Sequence, residues 1–141
     1  MSQIVEALNA SDTADLVAKR DWVRGHYEPH AQHQYDAVEG KLALVQAILA
    51  NQWVTAADTL KLQCLGIAFG DALAQHIGLT WVAVEDQYGR DPALQLANTS
   101  VLIFPMTMIS KRVERGETVD VLELFNAICS DVRSSLGESG G

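Results

Sequence analysis

Carboxylates and cations at close spacing are the groups in this sequence best suited to chemistry. Asp71, Glu85, Asp86, Asp91, Lys111, Arg112, Glu114 and Arg115 all fall between Thr55 and Glu117. Asp71 follows Gly70 inside an otherwise apolar helical stretch, where an unpaired carboxylate is costly. It needs a hydrogen-bond or cationic partner, and Arg112 or Lys111 is the expected one. Two readings follow. In the first, Asp71, with Asp86, pairs with Arg112 and locks a helix, a sheet and a later short helix together. In the second, Asp71, Glu85 and Asp86 line a cleft as acid, base or metal ligands of a hydrolase-type enzyme, with Arg112 beside them. Ion-pair networks perturb carboxylates much as active sites do. The structural reading is preferred.

A second set is His26, His30 and His33, with Glu28 and Asp36. His30 and His33 are three apart, so one helical face can present both to a divalent metal. The His-Glu-x-x-His pattern of zinc proteases is absent, and a solvated polar face is the preferred reading. A third set is Trp81, Tyr88 and Arg90, residue types that often anchor protein contacts. Its plainer alternative is a turn at Gln87 to Pro92 shaped by Gly89 and Pro92. His76, near a helix end, is expected to favour the helix dipole. No nucleophile elbow, phosphate loop, dinucleotide fingerprint or Cys-x-x-Cys pair occurs, so no cofactor is expected.

Composition sets the frame for these groups. The 141 residues suit one domain, and 48% apolar residues supply one core. A net charge of −8 disfavours nucleic acid, whose phosphates need Lys and Arg, and would steer a basic partner inward. The N-terminus lacks the basic start and apolar core of a signal peptide. The uncharged run from Pro92 to Ser110 is broken by prolines and polar residues, so no membrane partner is expected. A cytoplasmic location follows, with Cys64 and Cys129 reduced and acting as small hydrophobes.

Periodicity places the elements. Residues Ser2 to Asn9 form a loose turn, and Ser11 caps a first helix carrying Leu16, Val17 and Trp22. Pro29 opens a second helix whose apolar residues run from Val38 to Leu49. Trp53 and Val54 tuck into the core. Thr55 and Asp58 resemble a capping box for a third helix, which ends at Gly78 and is apolar on several sides. Gly66 and Gly70 lie one turn apart and bare backbone for a close neighbour. From Leu79 the period becomes two, giving strands at 79–86, 93–96 and 100–104 in an antiparallel meander. Pro105 opens a short helix, and Thr118 caps a last helix carrying Leu124, Phe125, Ile128 and Val132. Residues 137–141 are small and polar, a pattern that predicts a disordered tail. The expected fold is α+β over 1–136: a helical N-terminal half on a sheet of about three strands, then two C-terminal helices.

Several clusters occur together in one order: Leu65-Gly66, Gly70-Asp71, Trp81-Val82 through Asp86, Tyr88-Gly89 and Asp91-Pro92-Ala93-Leu94. They continue with Phe104-Pro105, Thr107-Met108-Ile109, Lys111-Arg112, Glu114, Gly116-Glu117 and Val119-Asp120. In these the chain resembles a bacterial group of small uncharacterised proteins, domain-of-unknown-function family 3806, over roughly residues 55–124. The resemblance leaves the N-terminal helices outside and implies no activity and no catalytic residue. The favoured function is a non-enzymatic protein-binding module, of adaptor or immunity type, for a basic partner or for itself. The hydrolase and the histidine metal site are its rivals.

Overall fold

Alternation at Leu79–Asp86 (β2) sets the sheet, and the computed structural model describes residues 3–140, with side chains over 3–135. The flanking strands are Ile4–Glu6 (β1), Gly89–Leu96 (β3) and Leu102–Ile103 (β4). Among the described residues the sheet has four strands in the order β1-β2-β3-β4, all antiparallel. The class is α+β, as expected, with one more strand than the sequence suggests. That strand is β1, where a loose turn was expected. Three residues are too few to display a period, and their partner Ala83–Glu85 is distant in sequence.

β3 also begins earlier than Ala93. Asp86 pairs with Gly89, so the turn is only Gln87 and Tyr88, with Gly89 at φ +133°. Pro92 stands opposite Ala83 within the strand. It is tolerated there because β4 pairs only with Leu94 and Gln95, so no ladder bond to β4 needs its missing N–H.

Helix α1 spans Ala10–Arg24, α2 Val38–Ala50, α3 Thr59–Leu73, α4 Met108–Glu114 and α5 Val121–Gly140. The cap of α1 is Asn9 in a reciprocal capping box with Asp12, two residues earlier than Ser11. The expected second helix splits. Pro29–Asp36 is a 3-10 helix, Ala37 is extended, and α2 follows. The apolar spacing starts only at Val38, so nothing holds 29–36 in a longer α-helix. α3 continues through a π turn, Ala74–Gly78, and Gly78 ends it at φ +85°. Thr55 and Asp58 do bond each other (2.9 Å from the Thr55 N–H), but before α3 rather than within it. α5 is capped by Asp120, which accepts from the Glu123 N–H (3.0 Å), not by Thr118. The tail at 137–141 lies outside the residues whose side chains are described.

α3 is the central element. Leu62, Leu65, Ile67, Ala68, Phe69, Ala72 and Leu73 are all fully buried. α1, α2, α4 and the 3-10 turn Pro105–Thr107 pack around it. The two glycines act as expected. A Cβ on Gly66 would lie 2.3 Å from the Met106 carbonyl oxygen, and one on Gly70 2.6 Å from the Trp81 ring. Trp53, expected inside, is half exposed and stacks on His26 instead.

Gly66→Ala should therefore destabilise the protein by about 2 kcal/mol, because overpacking against fixed backbone outweighs the better helix propensity. Urea unfolding followed by circular dichroism reads this as a lower midpoint with unchanged slope.

Candidate functional site

Asp71 sits in α3 at the point where α1, the 3-10 helix Pro29–Asp36 and β2 converge on it. Its Oδ2 accepts from Arg20 Nε (2.6 Å) and the Tyr35 hydroxyl (3.0 Å). Its Oδ1 accepts from Arg20 Nη2 (2.9 Å) and Trp81 Nε1 (3.0 Å). A carboxylate offers about four acceptor sites, and here all four are taken. The bidentate Arg20 fork is the strongest of these contacts. It raises the Arg20 pKa further. Burial, and then the Asp71 charge, push the Tyr35 hydroxyl up, so it stays a donor. Lys41 lies beside the cluster, its Nζ bonded to Gln75 Oε1 (2.5 Å) and 5.0 Å from the Tyr35 ring centroid. Burial lowers its pKa.

This corrects the expected pairing. The cation on Asp71 is Arg20, from the first helix, and not Arg112 or Lys111. Arg112 instead donates from Nη1 to the Met108 carbonyl (2.9 Å). Nor do Asp71, Glu85 and Asp86 share a cleft. Asp71 is buried, whereas Glu85 and Asp86 are exposed at the far end of β2, where Asp86 accepts from the Tyr88 N–H (2.8 Å). Trp81 and Glu85 are four residues apart on one strand, roughly 13 Å at the usual rise.

The Trp81, Tyr88 and Arg90 set is likewise divided. Trp81 is half-buried against Gly70 with its N–H on Asp71. Arg90 clamps β3 to α1 and β1 by pairing with Asp12 (2.7 Å) and with Glu6. Its hydrogen bonds hold the Asp12 carboxyl below the usual carboxylate range. Only Tyr88, at the hairpin tip, is widely exposed.

The histidines do not converge either. The His26 Nδ1–H donates to the Trp22 carbonyl (2.8 Å), and its ring lies between Trp22 and Trp53. His30 and His33 are exposed on the 3-10 helix, with His30 3.5 Å from Glu28. No group of three or more metal-ligating side chains suited to an ion occurs among the described residues. His76 contacts the Phe125 ring at 5.4 Å. Both cysteines are buried, which raises their thiol pKa values. No helix of the described residues is long and apolar enough to cross a membrane.

A groove that the sequence did not single out opens between β4, α4 and α5. Its volume is about 500 Å³. Leu102, Phe104, Met108, Ile128 and Val132 give it apolar walls, and Lys111, Arg112 and Arg115 stand along one side. Asp131 is the acidic side chain among its lining residues. Phe104 is 38% exposed. The signal lay in the spacing: Met108, Lys111, Arg112 and Arg115 fall at i, i+3, i+4 and i+7, as do Ile128, Asp131, Val132 and Ser135. The expectation for Asp71 takes Lys111 and Arg112 singly, as alternative partners, and so does not reveal the face that they share with Arg115.

Asp71→Asn should cost about 3 kcal/mol, because it leaves a partly buried guanidinium without its counter-charge. Thermal melts of the two proteins check this. Arg90→Met removes the largest of the interactions that depress the Asp12 pKa, and leaves the Asn9 N–H bond. That contribution is present above about pH 4 and is lost as pH falls through the folded-state pKa. The gap in melting temperature between wild type and Arg90→Met should thus be widest near neutrality and close in acid.

Comparison with known proteins adds family and fold. No curated protein matches the sequence. A crystal structure of a protein from Bacteroides thetaiotaomicron VPI-5482 has a similar fold, with a TM-score of 0.73 at 14% identity. The likeness covers 92% of this chain and 48% of that one, so this chain spans about half its length. Residues 41–125 match the family described as Domain of unknown function (DUF3806). The match starts earlier than the resemblance suggested and takes in most of α2. Covering more than half of the sequence, it shows that this chain belongs to the DUF3806 family.

Proposed function

We propose that this chain is a non-enzymatic protein-binding module that docks a partner in the groove between β4, α4 and α5. The single observation that carries the reading is that groove: about 500 Å³, walled by apolar side chains and edged by three cations, on a chain of net charge −8. Apolar walls supply the drive for association, and a few polar groups at the edge supply orientation. The Lys111 ammonium has no hydrogen-bond or ion-pair partner among the described residues. The cationic edge selects a negatively charged partner surface, in place of the basic partner that net charge alone suggests. Asp71 supports the same reading from the other side, since its four acceptor sites are occupied and none is open to a substrate.

Photo-crosslinking in the source cells tests this. The photoreactive residue p-benzoylphenylalanine replaces Phe104, and in a control Leu60, which is exposed on α3. A discrete adduct from position 104, missing from position 60 and lost on Lys111→Glu, is the expected result. The same adducts from both positions, or none from position 104, would overturn the reading. An adduct with a second copy alone would make the partner the chain itself.

A further inference from the structure

We infer that the segment taken by this groove is an extended acidic peptide with apolar anchors, laid across two adjoining clefts with a carboxylate at Lys111; the inference rests on the docking role proposed above. A second cleft of about 320 Å³ is lined by Asp91, Pro92, Phe104, Met106, Thr107 and Lys111. Phe104, Thr107 and Lys111 line both clefts, so the two meet at these side chains. Lys111 stands at the junction without an ionic partner among the described residues, and Phe104 is partly exposed beside it.

Charge decides the occupant. Across the two clefts Lys111, Arg112 and Arg115 stand against Asp131 and Asp91, and the cations are grouped in the larger one, so the acidic positions of the segment lie there. Arg112 spends one N–H on the Met108 carbonyl and Arg115 pairs through Nε with Glu117 (2.9 Å). A guanidinium has five N–H donors, so each keeps several for a ligand. An acidic residue entering here replaces water with charge-assisted hydrogen bonds, while its apolar neighbours cover Leu102, Met108, Ile128 and Val132. Pro92 shapes the other end. It has no N–H to offer an incoming strand, so the open edge of β3 is a poor template for strand addition there. Recognition therefore rests on side chains along the two joined clefts.

Fluorescence anisotropy with labelled synthetic peptide pools tests the inference. One pool carries fixed Leu or Phe anchors flanked by Glu and Asp. A second has the acidic positions changed to Lys, and a third has the anchors changed to Ser. The acidic anchored pool should bind wild type and weaken as salt is raised from low to physiological. Lys111→Glu should weaken it about tenfold, or 1.4 kcal/mol, and improve binding of the Lys pool. Its melting temperature should stay within about 2 °C of wild type, as expected of an exposed position. Equal binding of the acidic and Lys pools, no binding of either, or no effect of Lys111→Glu would overturn the inference. So would binding of phosphatidylserine vesicles, blocked by Lys111→Glu, without binding of the acidic pool. A partner crosslinked at position 104 together with a silent acidic pool would remove this inference and leave the docking role standing. Silence in both experiments would remove both.

Discussion

A carboxylate buried within an apolar helix is tolerable only when every lone pair is met, and Asp71 meets that condition with donors from three other elements. α3 lies at the centre of the core, so a charge there loses most of its hydration. Arg20 reaches it from α1, Tyr35 from the 3-10 helix and Trp81 from β2. Apolar packing is non-directional and sets the register of one helix on another through shape alone. A four-donor carboxylate is directional, because each donor has its own direction. The cluster thus fixes the register of α1 and the sheet on α3. Gly70 makes this possible, since its missing Cβ lets the Trp81 ring lie against the helix next to Asp71. Gly66 does the same for the carbonyls at Pro105 and Met106, which lead into α4.

From this anchor the remaining parts take their places. Arg90 fastens the short edge strand β1 and the start of α1 to the hairpin. Gln46 of α2 donates to the Val119 carbonyl and accepts from the Val121 N–H, which seats the beginning of α5. With α4 and α5 so fixed, their facing stripes and β4 leave a groove that no described side chain fills. The molecule is acidic as a whole, yet the α4 side of that groove is basic. This separation of charge, more than the net value, sets what can approach it.

The parts of this fold that follow a local period were legible in the sequence. Leu79 to Asp86 read as a strand, the run that ends at Gly78 as a helix apolar on several sides, and Gly66 and Gly70 as points of close approach. Asp71 was legible as a residue in need of a partner. Its partner was not, because Arg20 lies 51 positions away and nothing in its own helix marks it. Glu6 and Asp12 were hidden in the same way as ligands of Arg90. β1 was invisible because three residues carry no period and gain their structure only from β2. The 3-10 helix was merged with α2 because Pro29 is a good helix start in either. The groove escaped because it belongs to two helices at once: each stripe was visible, but their facing was not.

The central claim is that the Asp71 cluster is a structural junction, held by specific pairing and not by packing alone. A double-mutant cycle tests it most directly, with Asp71→Asn, Arg20→Met and the double variant unfolded in urea. The pairing account predicts a coupling free energy of about 2 kcal/mol, since each single change strands the other group. Effects that add to within about 0.3 kcal/mol would contradict it. The two side chains would then be neighbours without being partners, and Asp71 would need another reason to stand in the core.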